Sequence, residues 1–248
     1  MAIPAPDPRE AKRILAIQPH YDDNDIGAGG TLAALASGGA EIDYLTVTDD
    51  LVGVLDATLS DEEATARLRS EQERAGAELG VKGQYWLGFP DAGDYDCYSL
   101  RREIIRHIRM LQPDFIFTVD PWLPYESHGD HLKTGRAVTE AALLYGFPRL
   151  ATDPEVDREY RAHSLGGIAL YFTLKPNQIF DISEFRERKH RAIDAYQAQF
   201  TPESLEQLHM GLDFVERDCA AEKLFSHGEP LKLLSPGQLH CGLLPADE

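Results

Sequence analysis

The chain has 248 residues, enough for one α/β domain with a sizeable buried core. Its 42 acidic residues against 24 basic ones give a formal net charge of -18, a field that repels polyphosphate and anionic membrane surfaces and argues against nucleic acid as a partner. Three scattered cysteines, Cys97, Cys219 and Cys241, are too few for a disulfide framework and lack the spacing of a thiolate zinc knot, so they are expected as free thiols in a reducing cytoplasm.

The opening stretch Met1-Ala2-Ile3-Pro4-Ala5-Pro6-Asp7-Pro8-Arg9 is proline-rich and lacks the apolar centre of a signal peptide, so an irregular arm is expected there. No run approaches the roughly 18 apolar residues of a membrane span. Short apolar runs then alternate with longer amphipathic segments: 14–17 then 30–37, 42–47 then 61–79, 85–87 then 100–111, and 115–119 then 132–144. These are four βα units whose strands are too apolar to have a wet face. The predicted fold is therefore α/β, a Rossmann-like doubly wound, mainly parallel sheet with helices on both faces. Ser60-Asp61-Glu62-Glu63 resembles a capping box, and Gly80 is a stop signal after Leu79. Residues 148–167 are polar without periodicity and read as a long surface loop. Strands are predicted at 168–173 and 178–180, and helices at 183–198 and 202–225, the last with Pro202 in its first turn. The tail after His227 is expected to be irregular, leaving one domain over 1–248 with its core at about 13–225.

Two segments about a hundred residues apart carry the chemistry: His20-Tyr21-Asp22-Asp23 and His128-Gly129-Asp130-His131. Catalytic zinc takes about three protein ligands from His, Asp or Glu and keeps a position for water. Two imidazoles and a carboxylate can be supplied here, with acid and imidazole left over for proton transfer. In a doubly wound sheet of order 3-2-1-4, the first and fourth strands are neighbours, and ligands bind outside their carboxyl ends. The first segment follows the first strand and the second follows the fourth, so strand order puts both at one crevice. Asp22 and Asp23 are adjacent, so their side chains diverge, one to bind metal and the other to face the water. His128 and His131 lie three apart at a helix start that Ser127 can cap, one to ligate and the other to face substrate. Asp130 is expected to orient an imidazole through a hydrogen bond. Either motif alone is weak, since paired aspartates are common in loops and caps and so are isolated HxxH spacings; the shared crevice carries the reading. The other six histidines lack such a context.

A rival signal comes from Gly27-Ala28-Gly29-Gly30-Thr31, with Asp49 and Asp50 about twenty residues later, which imitates a dinucleotide fingerprint. Leu32 stands where the third glycine belongs, and the carboxylates of the first turn would repel pyrophosphate. The glycines are instead expected to let the helix begin close under the metal loop, with backbone amides facing a substrate oxygen.

Taken in order, these segments resemble the PIG-L or LmbE-like zinc-dependent N-deacetylases, which act on N-acetylglucosaminyl conjugates and related amino sugars. His20-Tyr21-Asp22-Asp23 with Ile26 to Ala33 is similar to the family's HPDD segment and the helix start after it, and His128-Gly129-Asp130-His131 to its HPDH. Arg69-Ser70-Glu71 with Leu79-Gly80-Val81, and Leu87-Gly88-Phe89-Pro90-Asp91, resemble its second helix and the loop after its third strand. Asp181-Ile182-Ser183, Lys189, Gln199 and Ala221-Glu222-Lys223-Leu224-Phe225 resemble its late segments, so the likeness runs from about Arg13 to Phe225.

The resemblance implies one Zn2+ per chain held by His20, Asp23 and His131, other divalent metals being chemically admissible. It implies Asp22 as general base and His128 as the group that stabilises the oxyanion, with Arg69 and Asp91 where relatives hold the sugar. The chain departs from the pattern at Tyr21, Asn24, Gly129 and Tyr196, and Tyr21, Asn24 and Tyr196 are expected to border the pocket. The implied activity is removal of an N-acetyl group from an N-acetylglucosamine-type amino sugar or its conjugate. A trimer or hexamer is suggested by the assembly of relatives. The alternatives are a metal-dependent amidase acting on a peptide, nucleoside or antibiotic amide, and a zinc-containing binding protein without catalysis. Retention of Asp22 and His128, neither needed merely to hold metal, argues against the latter.

Overall fold

Seven strands form a single mixed sheet in a computed structural model of the chain, which describes residues 5–241. They are β1 (Arg13–Gln18), β2 (Glu41–Thr48), β3 (Gly83–Phe89), β4 (Phe115–Val119), β5 (Gly167–Tyr171), β6 (Gln178–Asp181) and β7 (Gly228–Leu234). The order is β3-β2-β1-β4-β5-β7-β6; the first five are parallel, and β7 runs antiparallel to both its neighbours. The helices are α1 (Asp23–Ser37), α2 (Asp61–Leu79), α3 (Cys97–Leu111), α4 (Gly129–Leu144), α5 (Pro154–Glu159), α6 (Arg186–Ile193) and α7 (Pro202–Ala220).

The continuous apolar run of β1 serves both faces, because successive side chains point to opposite sides. Leu15 and Ile17 join Leu100, Ile104 and Val138 of α3 and α4, while Ile14 and Ala16 join Ala28 and Leu32 of α1. The expected boundaries of α2 are found. Ser60 Oγ accepts from the Glu63 N–H at 3.2 Å, the Glu63 carboxylate accepts from the Ser60 N–H at 2.9 Å, and Gly80 takes the left-handed φ of 87° that a glycine adopts without steric cost.

Several expectations are corrected. The predicted loop at 148–167 contains α5, capped by Asp153, and is tied down by the buried guanidinium of Arg109, which donates to the carbonyls of Tyr145, Phe147 and Leu150 and to Asp157. The helices predicted at 183–198 and 202–225 are shorter than expected, ending at Ile193 and Ala220. The tail after His227 is strand β7 followed by a 3-10 turn at Pro236–Leu239, so the core extends past residue 225. Pro230 and Lys232 interrupt its apolar pattern, and its burial comes from insertion between β5 and β6. In the expected N-terminal arm, Pro8–Glu10 form a 3-10 turn; residues 1–4 and 242–248 lie outside the described residues.

β7 also delivers Glu229 to the middle of α1, where its carboxylate accepts from the backbone N–H groups of Gly30 and Thr31 at 2.9 and 2.7 Å. Lys189 Nζ lies 2.8 Å from Glu229 and 2.8 Å from Glu216. The glycine run is a packing surface, since a Cβ at Gly27 or Gly30 would strike the Tyr171 ring or Ile182. The Gly30 and Thr31 amides are thus occupied by a carboxylate of the protein and do not face a substrate oxygen. Among the described residues, no helix is long and apolar enough to cross a membrane.

Candidate metal centre and catalytic site

β1 and β4 pair in parallel, Ile14 opposite Phe115 and Ala16 opposite Phe117, so the chain leaves both strands at the same edge. Beyond β1, residues 19–22 turn into α1. Beyond β4, residues 120–128 lead to α4, with His128 as its N-cap. The two sequence segments therefore meet. His20 Nδ1 lies 3.2 Å from Asp23 Oδ2, and His131 Nε2 lies 3.3 Å from Asp23 Oδ1, so one carboxylate is flanked by two imidazoles. The His20 backbone N–H donates to Asp23 Oδ2 at 2.9 Å, locking that carboxylate back onto its own loop. Glu126 Oε2, 3.3 Å from His131 Nδ1, steadies the second imidazole, whose ring lies parallel to Phe172 with centroids 6.2 Å apart.

Two overlapping groups bring potential ligand atoms within 4.8 Å of one another: His20, Asp23 and His131, and His20, Asp91, His128 and Asp130. The first fits a cation better. Both carboxylate oxygens of Asp130 are already committed, one to the Ala92 N–H and the other to the Tyr95 hydroxyl, each at 2.8 Å. Asp91 Oδ2 accepts from the Val52 N–H. In the first group, the two Asp23 oxygens face His20 Nδ1 and His131 Nε2, so the three donors already converge; His20, common to both groups, also has a buried Nε2 without a hydrogen-bond partner among the described residues. Two imidazoles and one carboxylate are also the donor chemistry of hydrolytic zinc sites.

The electrostatics of the crevice are those of crowded carboxylates. Burial pushes Asp22 well above the ordinary carboxylate range, and the charges of Asp23 and Asp50 push it further. Asp23 goes the other way: burial would raise it, but His131 and His20 hold it well below the usual range. Burial disfavours the imidazolium of His20, yet the Asp23 and Asp91 carboxylates raise it to about 11. His131 is raised, its burial outweighed by Asp23. His128 is lowered by burial and by the charges of His20 and His131. The Asp130 backbone N–H donates to His128 Nδ1 at 3.4 Å, leaving Nε2 as the proton-bearing nitrogen of the neutral ring.

Not every expected site residue reaches the crevice surface. Asp91 does, with Oδ1 3.4 Å from His20 Nε2. Arg69 is exposed on α2 with its guanidinium over the Trp86 ring. Tyr21, Asn24 and Tyr196, expected to border the pocket, are fully buried. Asn24 bonds the Ala16 carbonyl and the Tyr171 hydroxyl, and the Tyr196 hydroxyl lies against the Tyr21 carbonyl and Asp25. One hydroxyl proton cannot serve both of those acceptors. The count closes when Asp25 is itself protonated, and burial raises Asp25 to about 7 against the hydrogen bonds of Tyr196 and Tyr44. Asp130 also differs from expectation: its carboxylate is 3.9 Å from His128 Nδ1 and orients the loop at Ala92 and Tyr95 instead of the imidazole.

Sequence reasoning missed Glu126, although it lies two residues before His128, and Asp25. It noticed Asp50 only as part of the false nucleotide signal. Asp50 is turned inward, 2% exposed, and accepts from the Tyr21 N–H at 3.0 Å.

The family described as PIG-L, GlcNAc-PI de-N-acetylase, matches residues 15–142. The chain is 36% identical over 199 residues to a diacetylchitobiose deacetylase of Thermococcus kodakarensis, covering 80% of this chain and 74% of that one. It is 30% identical over 170 residues to a 1D-myo-inositol 2-acetamido-2-deoxy-alpha-D-glucopyranoside deacetylase of Nakamurella multipartita, a match spanning 55% of this chain and 56% of that protein. The structure superposes on the N,N'-diacetylchitobiose deacetylase of Pyrococcus horikoshii in complex with its inhibitor MPG, with a TM-score of 0.87 and 34% identity, covering 96% of this chain and 89% of that one.

Proposed function

Because the chain belongs to the PIG-L family of de-N-acetylases, we propose that it is a metal-dependent hydrolase that removes the acetyl group from an N-acetylglucosamine-type amino sugar or its conjugate. The observation that carries this reading is the convergence of His20, Asp23 and His131 on one point with the Asp22 carboxylate beside it. His20, Asp23 and His131 would hold the ion. A zinc or similar divalent cation bound there supplies the Lewis acidity that makes water acidic enough to attack an amide and polarises the amide carbonyl.

The protein's own groups do the rest. Asp22, whose proton affinity is raised by burial and by its carboxylate neighbours, takes the proton from the attacking water. As the carbonyl carbon becomes tetrahedral, negative charge grows on its oxygen, and the Nε2–H of His128 stabilises it. Removing one such donor typically costs about 3 kcal/mol. The C–N bond then breaks while Asp22 passes its proton to the departing amine, giving acetate and a free amino sugar. Asp130 fixes the Ala92–Tyr95 turn, and with it Asp91, at the rim where the sugar would sit.

The finer assignments have their own supports. The unpaired thiols of Cys97, Cys219 and Cys241 suit a reducing, cytoplasmic setting. Exposed Met210, Phe214 and Val215 on α7 offer an apolar face suited to self-association, which light scattering would test. The function is tested by acetate release from a panel of N-acetylated amino sugars, using zinc-loaded protein and Asp22→Ala. Turnover that disappears in the variant supports the assignment. Equal activity in both proteins, or none on any sugar, overturns it.

A further inference from the structure

We propose that Tyr196 and Asp50 are positioning residues for this hydrolysis: with Gln18 they clamp the two peptide groups of Tyr21 and so aim the Asp22 carboxylate. The inference rests on the function proposed above. The Tyr21 N–H donates to Asp50 Oδ2 at 3.0 Å, and the Tyr21 carbonyl accepts from Gln18 Nε2 at 3.0 Å and from the Tyr196 hydroxyl at 2.8 Å. Both peptide planes flanking Tyr21 are thereby held, and the second leads directly into Asp22. Asp22 needs such support, because at the N-cap of α1 its side chain makes no capping hydrogen bond. Its direction is inherited from the backbone.

The clamp is assembled from distant parts of the chain: Gln18 ends β1, Asp50 follows β2, and Tyr196 follows α6. Gln18 and Tyr196 have no solvent exposure and Asp50 has 2%, so none of them can touch a substrate and any effect on catalysis must act through Tyr21. Asp50 holds its place with φ at 57°, a left-handed conformation that a residue with a side chain keeps only where its surroundings compel it. The clamp continues into α1. Gln18 Oε1 accepts from the Asn24 N–H at 2.8 Å, and the Tyr196 hydroxyl also touches Asp25, which the Tyr44 hydroxyl reaches from the other side at 2.8 Å. Tyr196 lies beyond the segment that the family match covers, so the C-terminal third of the chain completes the catalytic loop.

A purely structural role would lower stability and metal affinity together, whereas a positioning role lowers kcat at constant KM and constant metal affinity. The test uses Tyr196→Phe, Asp50→Ala and Asp50→Asn in the full-length zinc-loaded protein. The readouts are kcat and KM for acetate release from N,N'-diacetylchitobiose, zinc affinity by competition with a chromophoric chelator, and hydrogen exchange of the segment 18–25. Tyr196→Phe and Asp50→Ala are expected to lose about 10- to 100-fold in kcat, the size of effect that a misplacement of about 1 Å produces. KM and zinc affinity should stay within about 2-fold of the parent values, and exchange over 18–25 should accelerate. Asp50→Asn keeps an acceptor for the Tyr21 N–H and should recover most of kcat and the slow exchange. Parent-like kcat in both of the other variants, or a loss that tracks zinc affinity, overturns the proposal; Asp50→Asn as damaged as Asp50→Ala removes Asp50 from the clamp. If the parent protein turns over no N-acetylated sugar, the function assignment fails, and the exchange of 18–25 alone then decides the clamp, unchanged rates in Tyr196→Phe overturning it.

Discussion

Two buried clusters of charge in this molecule are built on opposite principles. Beside α6 and α7, Glu216, Glu229 and Asp213 face Lys189 and Arg186, with His190 against Glu216, and Glu229 further accepts two backbone N–H groups of α1. In the crevice between β1 and β4, Asp22, Asp23, Asp50, Asp91 and Asp130 surround His20, His128 and His131, five carboxyl groups against three imidazoles. Burying charge is costly unless it is paired. Each acid of the first cluster has a basic partner in the protein. The second carries a surplus of carboxylate that a divalent cation would neutralise, and that surplus distinguishes a site from a brace.

The contrast can be broken by experiment. His131→Ala should bind no zinc and show no detectable turnover while remaining folded, as checked by metal analysis, acetate release and circular dichroism; stoichiometric zinc in this variant would remove His131 from the ligand set. Asp22→Asn should keep its metal and lose about 10²- to 10⁴-fold in kcat, the range for losing a general base. Its thermal stability should not fall, because it relieves a carboxylate held among like charges. In the other cluster the signature reverses. Lys189→Met leaves Glu216 and Glu229 without their shared ammonium and should cost about 3–5 kcal/mol of unfolding free energy, a figure typical of breaking a buried pair from one side. Denaturant unfolding measures that cost, and zinc affinity in the surviving folded fraction should be unchanged.

The smallest effect concerns pH. Asp50 is raised to about 7 by burial and by the charges of Asp91 and Asp23, against the opposing pull of His20 and the Tyr21 N–H. An unfolded aspartate titrates near about 3.9. Between those values the folded chain binds the proton more tightly than the unfolded chain, so this group's contribution is largest below about pH 4 and is lost as pH rises through 7. In chelator-treated protein, Asp50→Asn should therefore gain stability relative to the parent at pH 8 more than at pH 4.5. Each kcal/mol corresponds to roughly 2–4 °C in Tm for a chain of this size. An equal difference at both pH values would show that Asp50 does not titrate in that window.

Much of the fold was legible because its periodicities are local. Ser60, Glu63 and Gly80 mark the ends of α2 by chemistry that acts within a few residues, and the doubly apolar β1 announces a sheet covered on both sides. β7 was not legible. Its seven residues owe their strand form to neighbours at 168–170 and 178–181, and no local pattern in Gly228–Leu234 records those partners. Tyr21, Asn24 and Tyr196 were misjudged for the same reason, since a departure from a family pattern looks like a change of pocket until the side chain is seen turned into the core.

By itself the sequence determined the α/β class, the order of the first four strands and the pairing of His20-Tyr21-Asp22-Asp23 with His128-Gly129-Asp130-His131 at their ends. Hydrophobic period and strand order are properties of the chain, and they suffice for those conclusions. Tertiary structure alone decided which carboxylates are committed to backbone amides far along the chain, as Asp50 and Asp130 are, and which lie between two imidazoles, as Asp23 does. It also decided that Glu229 braces α1 and that Tyr196, Asp50 and Gln18 meet on one peptide. Hydrogen bonds between residues 29 to 199 positions apart are set by three-dimensional proximity, and sequence spacing carries no trace of them.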